Sequence, residues 1–292
     1  RLDGYTESDA KALVDRSLAA TMPQFYVLMD ARSAPPSNQI AAQPKSLVLP
    51  DGTIDMSYNL TYSDYDADIA RAAQVIAGRS QLSVTLDMAA AFVGASNPLT
   101  GYISWGSNDG NFSADTYHSL MFAPRGIAET AVSTSGRTFL PSTGGQSLMA
   151  DLVAQGAAGV KCYATEPYLD AIASPTVLMD LYTSGRNLAE SYYAASRFVQ
   201  WKDVVVGDPL CALSGSSSAT ISAAKALADG LLVSLDNVVV TAGTDVFGDR
   251  FYVEDSHRVS GLQVRLGKAF AGITAGMAVS VRGIIQTDVG ER

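Results

Sequence analysis

The feature that most constrains this chain is a change of hydrophobic period near residue 213. Before it, short apolar runs alternate with stretches of helical spacing; after it, only period-two patterns recur. Thr6, with Asp9 three positions on, is a helix start, and Ala10, Leu13, Val14 and Leu18 fall on one predicted face of residues 7–20. Phe25 to Met29 reads as a strand closed by Asp30. Ile69, Ala73 and Ile76 mark a second helix. Leu82 to Leu86, Gly101 to Trp105, Ile127 to Val132, Gly159 to Tyr163 and Val204 to Val206 read as further strands. Helical spacing covers 146–155, 175–184 and 187–199. Such alternation predicts β–α–β units and a mostly parallel sheet between helical layers.

Leu213 to Ala219 is rich in Ser and Gly and reads as a linker, so the expected organisation is an α/β domain over 1–213, a linker over 214–220 and a small β domain over 221–292. In the last part, Leu231 to Val240, Arg250 to Glu254, Gly261 to Leu266 and Met277 to Gly283 are strand candidates separated by glycines. Several short strands in so few residues predict an antiparallel barrel. Seven Lys+Arg against eight Asp+Glu leave this part at −1, while the whole chain carries −9. That balance disfavours nucleic acid, which needs a basic face. Hydrophobic residues at 47% exclude wholesale disorder, and the apolar runs are too short for a membrane span. Two Cys and two His exclude a disulfide scaffold and a Cys-rich metal site.

Ligands of parallel sheets bind beyond the carboxyl ends of strands. Those ends carry Asp30, Asp87, Trp105 to Asp109, Ser133 to Ser135 and Glu166. Trp105 is a candidate for stacking on a sugar or closing a pocket, the alternative being a plug at the sheet's end, and it is flanked by Ser107, Asn108 and Asp109 as binding residues. Glu166 and Asp109 are a candidate acid/base pair; the alternative for Glu166 is a cap or an ion pair with Arg137 or Arg186. Ser133 or Ser135, with His118 as base and Asp109 beside it, would form a hydrolase site; the alternative for His118 is a surface residue at a helix start. Phe251 and Tyr252 are candidate stacking aromatics of the β domain, only one of which can face outward. Asp64, Asp66 and Asp68 imitate a calcium loop but lack the required Gly and Glu, so they read as solvated surface. Asp109, Asn111 and Ser113 keep Ca2+ as a candidate ion; no other cofactor is expected. Cys162 and Cys211 are read as buried thiols, with a disulfide as the alternative. Asp208, in Gly-Asp-Pro, is expected to fix a turn.

Five phrases are more specific. They are Arg1-Leu2-Asp3-Gly4, Gly101 to Asp109 (GYISWGSND), Glu166-Pro167-Tyr168, Asn187-Leu188-Ala189-Glu190 and Gly207-Asp208-Pro209-Leu210. Together they resemble an uncharacterised family of exported bacterial proteins over about residues 1–212. The closing helix and the strand ending in GDPL are also similar to gingipain-type cysteine peptidases. The resemblance implies a gingipain/caspase-like three-layer sandwich and a secreted, periplasmic or cell-surface location, with upstream residues missing from this chain. It also implies that Trp105-Gly106 stands where the peptidases carry His-Gly, and that residues 131–136 replace the catalytic Cys. The expected function is therefore a peptidase-like binding or processing-associated module without the dyad, taking peptide or glycan. A noncanonical Ser hydrolase and a carbohydrate-binding surface protein are the alternatives. The C-terminal part resembles an OB-fold, on Asp229-Gly230, Val238 to Thr241, Phe251 to Asp255, Gly261 to Val264 and Val279 to Gly283.

Overall fold

The computed structural model describes residues 1–19, 24–42, 60–79, 81–199, 202–213, 220–226 and 232–287. Of the expected linker, 214–220, residues 214–219 lie outside them. The chain forms two compact units, Arg1–Leu213 and Ser214–Arg292.

The first unit runs α1 (Glu7–Leu18), β1 (Phe25–Asp30), α2 (Ser37–Ala41), α3 (Tyr62–Ala77), β2 (Leu82–Asp87), β3 (Leu99–Ser104), α4 (Ala114–Ser119), β4 (Phe122–Thr130), α5 (Met149–Ala154), β5 (Gly159–Tyr163), α6 (Tyr168–Ala171), α7 (Pro175–Thr183), α8 (Leu188–Ala195) and β6 (Asp203–Gly207). Its strands form one six-stranded sheet in the order β2-β1-β3-β4-β5-β6. All neighbours are parallel except β5 and β6, which are antiparallel. The chain is thus α/β with a mixed, mostly parallel sheet.

Strand alternation splits the core between the two faces of the sheet. Val27, Met29, Ile103 and Ile127 face α3, α7 and α8. Leu28, Tyr102, Ala128 and Val160 face α1, α4 and α5. Capping boxes start three of these helices from local sequence alone: Thr6 with Asp9, Thr61 with Asp64, and Asn187 with Glu190. One expectation about α1 fails. Leu18 is 74% exposed, because it lies five residues and about 140° from buried Leu13. Ser17, four residues from Leu13, is buried instead, and its hydroxyl donates to Asp208. Asp208 also accepts from Leu210 N (3.0 Å), so it fixes the turn as expected.

The second unit contains α9 (Ile221–Lys225), β7 (Leu232–Ala242), α10 (Thr244–Phe247), β8 (Arg250–Glu254), β9 (Gly261–Arg265) and β10 (Ala278–Ile284). Its four strands form a curled antiparallel sheet in the order β10-β7-β8-β9. Register shifts in β7 and β10 bend it around a core of Leu235, Val240, Phe251 and Val253. The expected barrel closure is not present among the described residues: the edge strands β9 and β10 do not pair with each other.

Candidate functional site

A cleft of about 560 Å³ opens beyond the carboxyl ends of the parallel strands. The chain leaving each strand supplies a wall: Arg32 after β1, Trp105 and Asn108 after β3, Ala131 and Ser133 after β4, Glu166 and Tyr168 after β5. Tyr62 on α3 and Gln146 before α5 complete it.

The turn after β3 is set by Gly106, whose φ is +49°; a Cβ there would lie 2.7 Å from Val132 Cγ2. This close approach carries Ser107 and Asn108 onto the neighbouring segment. Ser147 N donates to Ser107 Oγ (2.8 Å), and Ser107 N donates to Ser147 Oγ (3.2 Å). Asn108 Nδ2 donates to Ala131 O (2.6 Å), and Gln146 Nε2 donates to Asn108 Oδ1 (2.8 Å). These two predicted binding residues therefore serve to rivet the cleft's rim.

Trp105 is 1% exposed. Its Nε1 donates to Asp66 Oδ1 (2.6 Å), and its ring meets Tyr62 and Tyr65 edge-on at 5.3 and 5.1 Å. It is a fixed wall, which corrects the expectation of an exposed sugar platform. Asp66 is likewise buried, and this corrects its reading as solvated surface. It also accepts from Arg32 N (3.1 Å) and Ser33 Oγ (3.0 Å). Burial pushes its carboxyl above the ordinary range, against these hydrogen bonds and the Arg32 charge. Neighbouring Asp68 is engaged too, by Arg71, Ser174 and Thr176.

The Arg32 guanidinium stands 4.9 Å from the ring centroids of both Tyr62 and Trp105. Each such contact contributes about 0.5–2 kcal/mol, rising with desolvation. Among the described residues, the guanidinium donates no hydrogen bond and forms no ion pair.

The other candidates are not gathered here. His118 is largely exposed on α4, with Nε2 3.5 Å from Asp151 Oδ2, and it bonds to neither serine nor to Asp109. Ser135 is buried and accepts from Tyr163 N (3.3 Å). Asp109 is buried below the rim, accepting from Asn111 N (2.7 Å), so it does not share the cleft with Glu166. Glu166 accepts from Tyr168 N (2.9 Å); Arg137 instead binds backbone carbonyls, and Arg186 pairs with Glu190. The calcium candidates are taken up locally: Asn111 donates to Ala90 O, and Ser113 caps α4. No group of three or more His, Cys, Asp or Glu arranged for a metal ion exists among the described residues. Cys162 and Cys211 are separate buried thiols, and burial raises both, Cys162 to about 12. In the second unit Phe251 is buried in the core. Tyr252 is half-buried beside Phe247, its hydroxyl accepting from Gln263 Nε2 (2.7 Å), as alternation required.

Below the cleft lies a buried charged network that the sequence did not reveal. Lys161 Nζ pairs with Asp203 (2.8 Å) and donates to Ala171 O (2.8 Å). The Tyr163 hydroxyl donates to Glu129 and accepts from Ala173 N (3.2 Å). Burial pushes Glu129 up to about 8, with Lys161 and Tyr163 opposing the rise. The network anchors residues 171–173, next to the cleft wall at Leu169, Asp170 and Ile172.

Fold and cleft together define the class: an α/β protein with a ligand-sized cavity at the carboxyl edge of its sheet. Comparison with protein-family models, with curated proteins and with solved structures found no match. No helix among the described residues is long and apolar enough to cross a membrane.

Proposed function

We propose that the first unit is a gingipain/caspase-like scaffold without the Cys/His dyad, and that it binds peptide in the cleft without cutting it. On this reading the chain is part of an exported bacterial protein, and its second unit is an OB-like module. The observation that carries the proposal is the composition of the cleft wall. An indole, a guanidinium, two amides, two carboxylates and the hydroxyls of Tyr62, Ser133 and Tyr168 line it, whereas the imidazole of His118 and both thiols lie elsewhere. A serine nucleophile needs a base within hydrogen-bond reach, and Ser133 has no imidazole partner. The parallel sheet with one antiparallel edge, covered by helices on both faces, agrees with the proposed scaffold.

The test is incubation with a pool of tryptic casein peptides, followed by mass spectrometry of the bound and free fractions. Retention of a subset of peptides at unchanged mass is expected. Cleavage that disappears in Ser133→Ala would replace this reading with the hydrolase.

A further inference from the structure

The polar groups of the cleft are unequally committed. Asn108 and Gln146 bond to each other, and Gln146 Oε1 also accepts from Thr134 N (3.1 Å). Asp170 pairs with Arg197 (3.5 Å) and accepts from Leu60 N (3.1 Å). Glu166 accepts from the backbone two residues on. Arg32 differs. Its backbone N–H is held by Asp66, and its guanidinium is clasped between Tyr62 and Trp105, with the N–H fork left for a ligand. The ring that clasps it is itself immobilised by the same Asp66 carboxylate. One buried acid therefore positions both the cation and the aromatic wall behind it.

We infer that Arg32 makes the cleft a reader of a single carboxylate on its peptide ligand, an inference that rests on the binding role proposed above. A guanidinium fork matches a carboxylate in two parallel hydrogen bonds. Loss of solvent against the buried Trp105 ring strengthens such a pair. The surroundings select the lower charge. Glu166 and Asp170 stand in the same wall, and the chain carries −9 overall, so a dianionic phosphate meets repulsion that one guanidinium does not offset. The carboxylate is that of an Asp or Glu side chain or of a peptide's C-terminus; the chemistry at Arg32 is the same.

Four peptides separate these cases: acetyl-Ala-Ala-Asp-Ala-Ala-amide, its Asn counterpart, and acetyl-penta-alanine as free acid and as amide. Binding is followed by the Trp105 indole N–H resonance in a Trp201→Phe background, where it is the sole indole. At least one carboxylate peptide is expected to bind about tenfold more tightly than its neutral match. The pair that shows the difference identifies the carboxylate's source. Arg32→Gln should erase the difference. Arg32→Lys keeps the charge but not the fork, so it should keep only part of the preference. Equal binding of both matched pairs would overturn the carboxylate reading and leave the cleft as a peptide site. Failure of all four peptides to move the resonance would remove both.

Discussion

The two units bury very different things. The α/β unit hides Asp30, Asp66, Asp109, Arg125, Glu129 and Lys161, whereas the buried polar residues of the described β unit are Ser234 and Thr244. Buried charge is costly unless it is paired and hydrogen-bonded. Two of these groups hold parts of the cleft in fixed positions: Asp66 binds Trp105 and Arg32, and the Glu129–Lys161 network anchors residues 171–173; Arg125 instead binds Ala19 O and Ala212 O. The β unit, with its core of Val, Leu, Ile and Phe, has the economy of a domain stabilised by apolar contact alone. The cleft proposed above as the binding site lies in the unit that buries charge.

The sharpest way to break this contrast is Lys161→Met. It leaves Asp203, 7% exposed, without its cation, and should lower stability by about 3–5 kcal/mol in urea unfolding. A loss below ~1 kcal/mol would mean that the network is not the structural anchor described. Asp66→Ala should cost about 2–3 kcal/mol, because it orphans the Trp105 indole N–H and the Arg32 backbone N–H. It should also shift the indole resonance towards that of a solvated ring, and Asp66→Asn, which retains an acceptor, should do less.

A third difference appears in pH. Burial raises Glu129 from 4.5 to about 8 and Asp30 from 3.8 to about 7. Both hold their proton to higher pH when folded, so their contribution to stability is complete below the ordinary carboxyl range and is lost as pH rises from about 4 to 8. Thermal unfolding between pH 5 and 8 should show a shallower fall in Glu129→Gln than in the parent. At the small end, Ser234→Ala in the β unit should change stability by no more than about 1 kcal/mol, since one neutral hydroxyl is involved. A larger loss would show that this unit, too, depends on buried polarity.

The elements of the fold were legible because their signals are local. Thr6 and Asn187 cap helices through residues three positions away, and Phe25 to Met29, Gly159 to Tyr163 and Val204 to Val206 are short apolar runs; the cap at Thr61 and the first half of β4, FAPRG, escaped the reading. The site was legible only where the carboxyl-end rule reached: Trp105, Asn108, Ser133 and Glu166 line the cleft. Arg32 escaped because the reading of β1 stopped at Asp30, two residues short. Asp66 carried a usable signal. It lies three residues before Ile69 and seven before Ala73, hence on the buried face of α3, yet its acidic neighbours argued for surface. Tyr62 and the Lys161–Asp203 pair become meaningful only through contacts between distant segments. His118 stands exposed on α4, in line with its reading as a surface residue of a helix and against its alternative role as a base.

Backbone amide shift mapping, with the tryptic casein pool added to isotopically labelled protein, bears most directly on where this chain engages a ligand. Perturbations gathered on Arg32, Tyr62, Trp105 and Tyr168, with residues 232–287 silent, are the predicted result. Perturbations confined to 232–287, or spread evenly over both units, would contradict it.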